Sequence, residues 1–329
     1  MKTLEKSAQQ KAGGNNAGAF VKKLIRNQIF IPIAALLILV IFNFVADPSF
    51  FAVTLSQNSA GYPVLSGNLI TILDNASELV ILAIGMTLVT SASGGQDISV
   101  GAAIALAGSV VLRVLCGTES RPETLQAPII VAFLICCLVA MAFGAFNGVL
   151  VAYFKIQPMV ATLILFTAGR SIAAWINNNE LPIISDEGFG YFGNFIPGIP
   201  VPTPIFIAII CMIIIALVLR FTKLGLFTQS VGINAESSRL NGINPEFIKF
   251  ITYVILGLCV AVAGFIKVSR FSTINYSVVA KDIEMDAILA VALGGNALSG
   301  GKFNMAASIL GAYVIQFLTC LLYTSPSPR

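Results

Sequence analysis

The chain of 329 residues has no histidine, a single tryptophan and only 10% charged residues. Without histidine it lacks the commonest metal ligand and the usual general base near neutral pH. Its six cysteines (116, 136, 137, 211, 259 and 320) have no Cys-x-x-Cys spacing and lie almost all in apolar runs, where they read as small core residues. The net charge of +4 comes from bases spread along the flanks of apolar runs, so it gives no argument for a nucleic-acid partner.

What the chain has in abundance is apolar length. Hydrophobic residues make up 57% of it, and the mean hydropathy is +0.91. Uncharged runs cover 29–45, 79–96, 127–154, 203–219, 250–266 and 303–322. With a flanking residue or two, each approaches the roughly 20 residues that a helix needs to cross the hydrocarbon. Two shorter runs, 98–112 and 157–169, end at Arg113 and Arg170, and a Gly-rich run covers 287–301. Lipid offers no partner to free backbone groups, so these nine candidate spans are expected to be helices. The expected fold is therefore an all-α polytopic membrane bundle of about nine spans, reaching from 28 to 322. Residues 1–27, rich in Gln, Asn, Gly and Ala, read as a flexible tail. Lys22, Lys23 and Arg26 precede the first run, and no small-residue cleavage site follows, so it reads as an uncleaved anchor.

Charge asymmetry orients the bundle. With the N-terminus in the cytoplasm, the inner segments are the tail, Lys155, the polar stretch 220–249 and Lys302, which together hold twelve of the nineteen Lys and Arg. The loops 47–67, 117–126, 177–202 and 269–285 then lie outside and carry most of the remaining acids and few bases. Positive charge inside favours this arrangement. The outer loop 177–202 contains Pro197, Pro200 and Pro202 beside Phe189, Tyr191, Phe192 and Phe195. It reads either as a rigid loop with an interfacial aromatic belt or as a docking surface for an external partner.

Three inner segments carry motifs. In Gly94-Gly95-Gln96-Asp97-Ile98-Ser99-Val100-Gly101, two glycines break one helix, and Asp97 or Ser99 can cap the next. Gly294-Gly295-Asn296-Ala297-Leu298-Ser299-Gly300-Gly301 repeats the spacing Gly-Gly-x3-Ser-x-Gly, as a relic of duplication or by chance. It ends in Gly301-Lys302, yet Asn296 stands where a phosphate-binding loop needs glycine and Phe303 where it needs a hydroxyl. No other segment fits that motif better, so nucleotide hydrolysis is not expected in this chain. The third is Glu236-Ser-Ser-Arg-Leu-Asn-Gly242 between two spans, a short acidic-to-glycine loop suited to receive force from a separate motor.

Ionisable residues within spans are costly and are candidates for function. Arg170 falls in the fifth run and Asp286 opens the eighth, so both are candidate pathway residues with structural pairing as the alternative. Asn147, on a Gly144-x-x-Asn147-Gly148 face, is a further candidate, with helix packing as its alternative. Asp74 and Glu78, one turn apart, read first as snorkelling at the outer interface.

Literal strings narrow the class. Gly85-Met86-Thr87-Leu88, Gly95 to Gly101, Gln157-Pro158-Met159-Val160-Ala161-Thr162-Leu163, Val231-Gly232-Ile233-Asn234, Ser238 to Ile243, and Glu284-Met285-Asp286-Ala287-Ile288-Leu289-Ala290 occur in this order, followed by Leu293-Gly294-Gly295 and Gly300 to Asn304. From about 68 to 320 the chain resembles the permease subunit of bacterial ATP-binding-cassette sugar importers of the ribose-type branch. Ala161 to Leu165 with Ala168-Gly169-Arg170 is most similar to the galactofuranose-type permeases. Gln96, where an apolar residue is usual, and Glu78 depart from the pattern.

The resemblance implies a multi-pass protein of the bacterial plasma membrane with ten spans. It implies an external sugar-binding protein, two cytoplasmic ATPases that use the ATP, and a second permease copy or paralogue. No cofactor is implied for this chain. Asn234, Glu236, Arg239, Leu240 and Gly242 would form the coupling loop that fits a groove on the ATPase. Gly95, Asp97, Ser99, Gly101, Gly294 and Gly295 would shape the inner turns. Residues 323–329, polar and proline-rich where the family continues to a further span, are expected to be a truncated or foreign end, with a natural nine-span chain as the alternative. A stand-alone secondary transporter or channel is the competing function, with Arg170 as its midplane charge. A membrane enzyme on lipid-linked sugars is a third, and it would need convergent acids or metal ligands.

Overall fold

The computed structural model describes residues 29–57 and 61–324. The expected tail 1–27 and residues 325–329 lie outside the described residues. The order is α1 (Phe30–Ala46), a 3-10 turn (Pro48–Phe51), β1 (Thr54–Gln57), β2 (Pro63–Ser66), α2 (Asn68–Ser93), α3 (Val100–Cys116), α4 (Ile129–Ala152) and α5 (Pro158–Ile176). Then come α6 (Glu187–Gly190), α7 (Thr203–Phe221), α8 (Leu224–Ile233), α9 (Ala235–Leu240), α10 (Pro245–Phe271), α11 (Ile283–Leu293) and α12 (Met305–Thr324). The chain is a polytopic helical bundle. Six helices, α2, α4, α5, α7, α10 and α12, are long and apolar enough to cross a bilayer; α1 and α3 are apolar but shorter.

The two longest helices, α2 and α10, form the centre, and α5 and α7 are the least buried of the six. Close packing of α4 on α10 follows from small residues one turn apart. Gly144 lies against the Tyr253 carbonyl, and Gly257 lies against the Ala140 carbonyl, so neither site has room for a side chain. Small residues let backbones approach where lipid provides no hydrophobic drive between helices. The expected outer loop 47–67 contains an antiparallel β-hairpin, with Thr54 opposite Ser66 and Gln57 opposite Pro63.

The run 287–301 departs from expectation. Its helix, α11, has 11 residues, about 16 Å at 1.5 Å per residue, against a hydrocarbon core of roughly 30 Å. Glycines at 294 and 295 end it early. The missing depth is covered by irregular backbone in a stretch whose charge pattern predicts an outer loop. Gly108 of α3 packs against Ile274, and Gly101, about 10 Å nearer the start of that helix, packs against the Ala280 carbonyl. The segment 272–282 therefore runs down into the bundle beside α3. Ala280 (φ 50°) and Asp282 (φ 67°) hold left-handed backbone within it. Non-helical chain at such depth is tolerated where protein buries it or where it lines a cavity.

Connections gather at two opposite ends. At one, Gly95 rests on Pro158, Gln96 Nε2 donates to the Leu298 carbonyl at 3.2 Å, and the rings of Tyr153 and Phe250 stand 6.3 Å apart. At the other, the Leu65 amide donates to the Pro200 carbonyl, Ile183 to Ser120 and Ile184 to Ser272, each at 2.9 Å. In the proline-rich loop 177–202, Phe189 is fully buried and packs edge-on against Phe265, with ring centroids 5.6 Å apart. That aromatic belongs to the core, neither to an interfacial belt nor to a docking surface.

Candidate functional site

At the first end, α8 and α9 form a short helical hairpin. Asn234 separates them, and its Oδ1 accepts the Ser237 amide at 2.9 Å, capping α9. Glu236 sits in the first turn of α9, where a negative charge suits the helix dipole. Arg239, in the last turn, pairs with Glu246 at the start of α10. Gly242 has φ +79° with open space around it, so the turn into α10 uses left-handed backbone that costs glycine nothing. Leu240 is left 91% exposed, and Ile233 and Leu226 of α8 are exposed as well. A leucine extended into solvent at a polar helix end is a projecting apolar knob.

The hairpin is fixed to the bundle through the glycine-rich turns. Gly232 of α8 touches the backbone of Ser91 and Gly301, an approach that any side chain would block. Ser91 Oγ donates to the Gly301 carbonyl, and the Gly301 amide donates to the Ser91 carbonyl at 2.9 Å. Gly94 faces Ser299, so the two turns with the repeated spacing pack against each other. Gly294 lies on the backbone of Ala307 and Ser308 in α12, and Gly295 takes positive φ in the same turn. The amide of Asn296 joins them to Ser308 Oγ at 2.7 Å, and Ser308 in turn accepts from Thr87 Oγ1 of α2 at 2.8 Å.

Below the first turn lies a buried polar cluster. Asp97 Oδ1 accepts the Ser99 amide at 2.8 Å and the Ser99 hydroxyl at 2.6 Å. Asn147 Nδ2 donates to Ser99 Oγ at 2.8 Å and Asp97 Oδ2 at 3.3 Å. Neither Asp97 nor Ser99 caps α3 with its side chain; Asp97 instead shapes the turn before it. Burial pushes the Asp97 carboxyl above its usual range, opposed by the Ser99 and Asn147 hydrogen bonds. Asn147 is fully buried in this cluster.

At the opposite end, a cavity of about 550 Å³ opens between α2, α10, the segment 272–282, α11 and α12. Glu78 of α2, 2% exposed, does not snorkel. Its Oε2 pairs with Lys267 Nζ at 2.8 Å, and its Oε1 lies 3.3 Å from Arg270 Nη1. Arg270 Nη2 also holds Asp74 Oδ1 at 2.9 Å. Two acids one turn apart on α2 thus face two bases on α10, and their charges cancel. In the sequence these bases fall at the edge of an apolar run, where their one-turn spacing is the available signal. Asp286 lines the cavity. Arg170 stands behind its wall, donating through Nη1 to the Tyr276 and Val279 carbonyls at 2.9 Å each. Asp286 thus lines the cavity, Arg170 braces the loop behind its wall, and Asn147 belongs to the turn cluster. Among the described residues no group of His, Cys, Asp and Glu could hold a metal.

Residues 68–327 match the family described as branched-chain amino acid transport system / permease component. The chain is 36% identical, over 95% of its length and 85% of the relative's, to the fructose import permease protein FruF of Bifidobacterium longum. It is 38% identical to the galactofuranose transporter permease protein YtfT of Escherichia coli over 90% of its length and 82% of the relative's. To the ribose import permease protein RbsC of Escherichia coli the identity is 34%, over 86% and 82%. No solved structure matches the chain significantly. Its bundle of apolar helices, glycine-turn end and matched length agree: the chain belongs to the family of transport-system permease components.

Proposed function

We infer that this chain is the membrane-spanning subunit of an ATP-binding-cassette importer in a bacterial plasma membrane, passing a monosaccharide inward. The observation that carries the reading is 34–38% identity over 86–95% of the chain with permeases named for fructose, galactofuranose and ribose. The family description names branched-chain amino acids, but the sugar permeases match nearly the whole chain. The substrate class is thus ribose, galactose or galactofuranose, with fructose added by the relatives.

In this reading a separate cytoplasmic ATPase hydrolyses ATP, an external binding protein delivers the sugar, and a second permease copy or paralogue completes the pore. The N-terminus and the α8–α9 hairpin face the cytoplasm, in keeping with the basic residues around that end. Asn234, Glu236, Arg239, Leu240 and Gly242 form the contact to the ATPase, and the turns at 94–101 and 294–301 transmit its movement to α2 and α12. A cargo path walled by Asp286 and braced by Arg170 lies at the other end. Nine crossings require α1 and α3 to span by tilting little, and α11 to cross jointly with the segment 272–282.

The test is uptake of labelled D-ribose, D-fructose and D-galactose into vesicles that carry the chain with its cognate ATPase and binding protein. Uptake of one sugar that requires ATP is expected. Uptake driven by an ion gradient without the ATPase would replace this reading with a secondary transporter.

A further inference from the structure

We propose that the outer-end cavity is a sugar-binding vestibule in which Glu78, Lys267 and Asp286 contact a neutral polyhydroxylated ligand directly. The proposal rests on the sugar-import reading and adds the place and the residues. Its size, about 550 Å³, falls within the range of small-molecule sites.

Three observations set the ligand chemistry. First, the charged residues of the wall are Glu78 and Asp286 against Lys267 and Lys281, so formal charge balances and neither a cation nor an anion gains a net field. Second, Glu78 lines the cavity yet is nine-tenths or more buried, and its Oε1, itself covered, has Arg270 Nη1 at 3.3 Å without forming a hydrogen bond. A buried carboxylate oxygen that lacks a hydrogen bond gains one if the side chain turns toward a donor in the adjacent cavity. A sugar hydroxyl is such a donor, and it accepts in return from an ammonium or an amide; Asn75 of α2, Asn275 of the segment 272–282 and Gln316 of α12 bring amides to the wall. Third, the Phe271 ring lies in the same wall with Lys267 Nζ 5.9 Å from its centroid. The ring adds apolar surface to the wall for the C–H groups of a sugar. Carboxylate, ammonium, amide and aromatic face together suit a neutral polyol better than an apolar or singly charged solute.

The segment 272–282 gives the vestibule its floor. Irregular backbone set deep in the bundle leaves Thr273 and Asn275 in the cavity wall, where a continuous helix would turn most of its polar atoms inward on itself.

The test uses the assembled transporter in vesicles. The wild type is first assayed with D-ribose, D-fructose, D-galactose and, separately, L-leucine. Leucine uptake with no sugar uptake would remove the sugar-import reading, whatever the vestibule does. If a sugar is taken up, Glu78→Gln and Asp286→Asn are compared at equal membrane level. The half-saturating sugar concentration should rise about ten-fold for each, as loss of one hydrogen bond to a charged group predicts, and the order of preference among the three sugars should change. Should Glu78→Gln fail to reach the membrane, Asn275→Cys provides the second arm. A negatively charged thiol reagent should block its uptake, and the transported sugar should slow that block while leucine does not. Unchanged half-saturation and sugar order in variants that reach the membrane, or labelling of Asn275→Cys that sugar leaves unaffected, would overturn the vestibule while sparing the importer.

Discussion

Arg170 Nη1 donates to the Val279 carbonyl at 2.9 Å and to that of Tyr276 at the same distance, joining α5 to a loop set deep in the bundle. One guanidinium nitrogen thus closes two backbone acceptors that no helix satisfies. Lysine cannot reproduce this, because its ammonium is a compact point charge on a flexible stem.

Arg170→Lys should loosen the segment 272–282 without unfolding the chain. The measurable outcome is the rate at which a thiol reagent labels a cysteine placed at the exposed position Ser277. Labelling of Ser277→Cys should be severalfold faster in the Arg170→Lys background. Equal rates in both backgrounds would mean that Arg170 does not brace the loop.

Gly257 lies against the Ala140 carbonyl and the Met141 Cα where α10 crosses α4. Gly257→Leu must separate two helices that share the core, at a cost of about 1–3 kcal/mol or more from overpacking. A lower thermal unfolding temperature of the detergent-solubilised chain is expected. Ala→Leu at the exposed position 306 of α12 should leave it unchanged and serves as the comparison.

Much of this organisation was legible in the sequence, and the reasons differ by element. The long runs of α4, α7, α10 and α12 announce themselves, because apolar length is a one-dimensional property. The left-handed turn at Gly242 was also readable from an acidic start and a glycine end. The depth of 272–282 was not. Its polar residues look like any outer loop, and only the brevity of α11 forces the chain inward. The charge pairs were hidden for a related reason. Asp74 and Glu78 are visible as acids in a span, but their partners Lys267 and Arg270 lie nearly two hundred residues away, and nothing local connects them. Asn147 was visible on its small-residue face, yet its contact with Asp97 and Ser99 depends on how α4 meets the first glycine turn.

That contact gives a direct test of coupling between residues. Asn147→Ala removes two hydrogen bonds, one of them to a buried carboxylate, and should cost about 1.5–3 kcal/mol. Ser99→Ala removes a donor to the same carboxylate. If the three residues act as one network, the double variant should lose less than the sum of the single losses by at least about 0.5 kcal/mol. Additive losses in denaturant or thermal unfolding would show that they are independent.

The α8–α9 hairpin gives the clearest functional prediction, because its exposed surface contributes little to folding. Leu240 makes few contacts with the bundle, being 91% exposed, so Leu240→Asp should leave the unfolding temperature within about one degree, as surface changes usually do. Under the proposed contact with the ATPase, transport by the assembled importer should nonetheless fall by tenfold or more, because a charge in place of this apolar knob would leave the partner's pocket unfilled. Gly242→Val tests the same contact through the backbone. Its φ of +79° is strongly disfavoured for a β-branched residue, costing about 1–3 kcal/mol locally. The turn should shift and carry Leu240 with it. Both variants should therefore reach the membrane and retain sugar binding at the opposite end, yet fail to couple ATP hydrolysis to uptake. Copurification with the ATPase is the deciding measurement: full recovery of the complex together with normal uptake in Leu240→Asp would remove the hairpin from the motor contact.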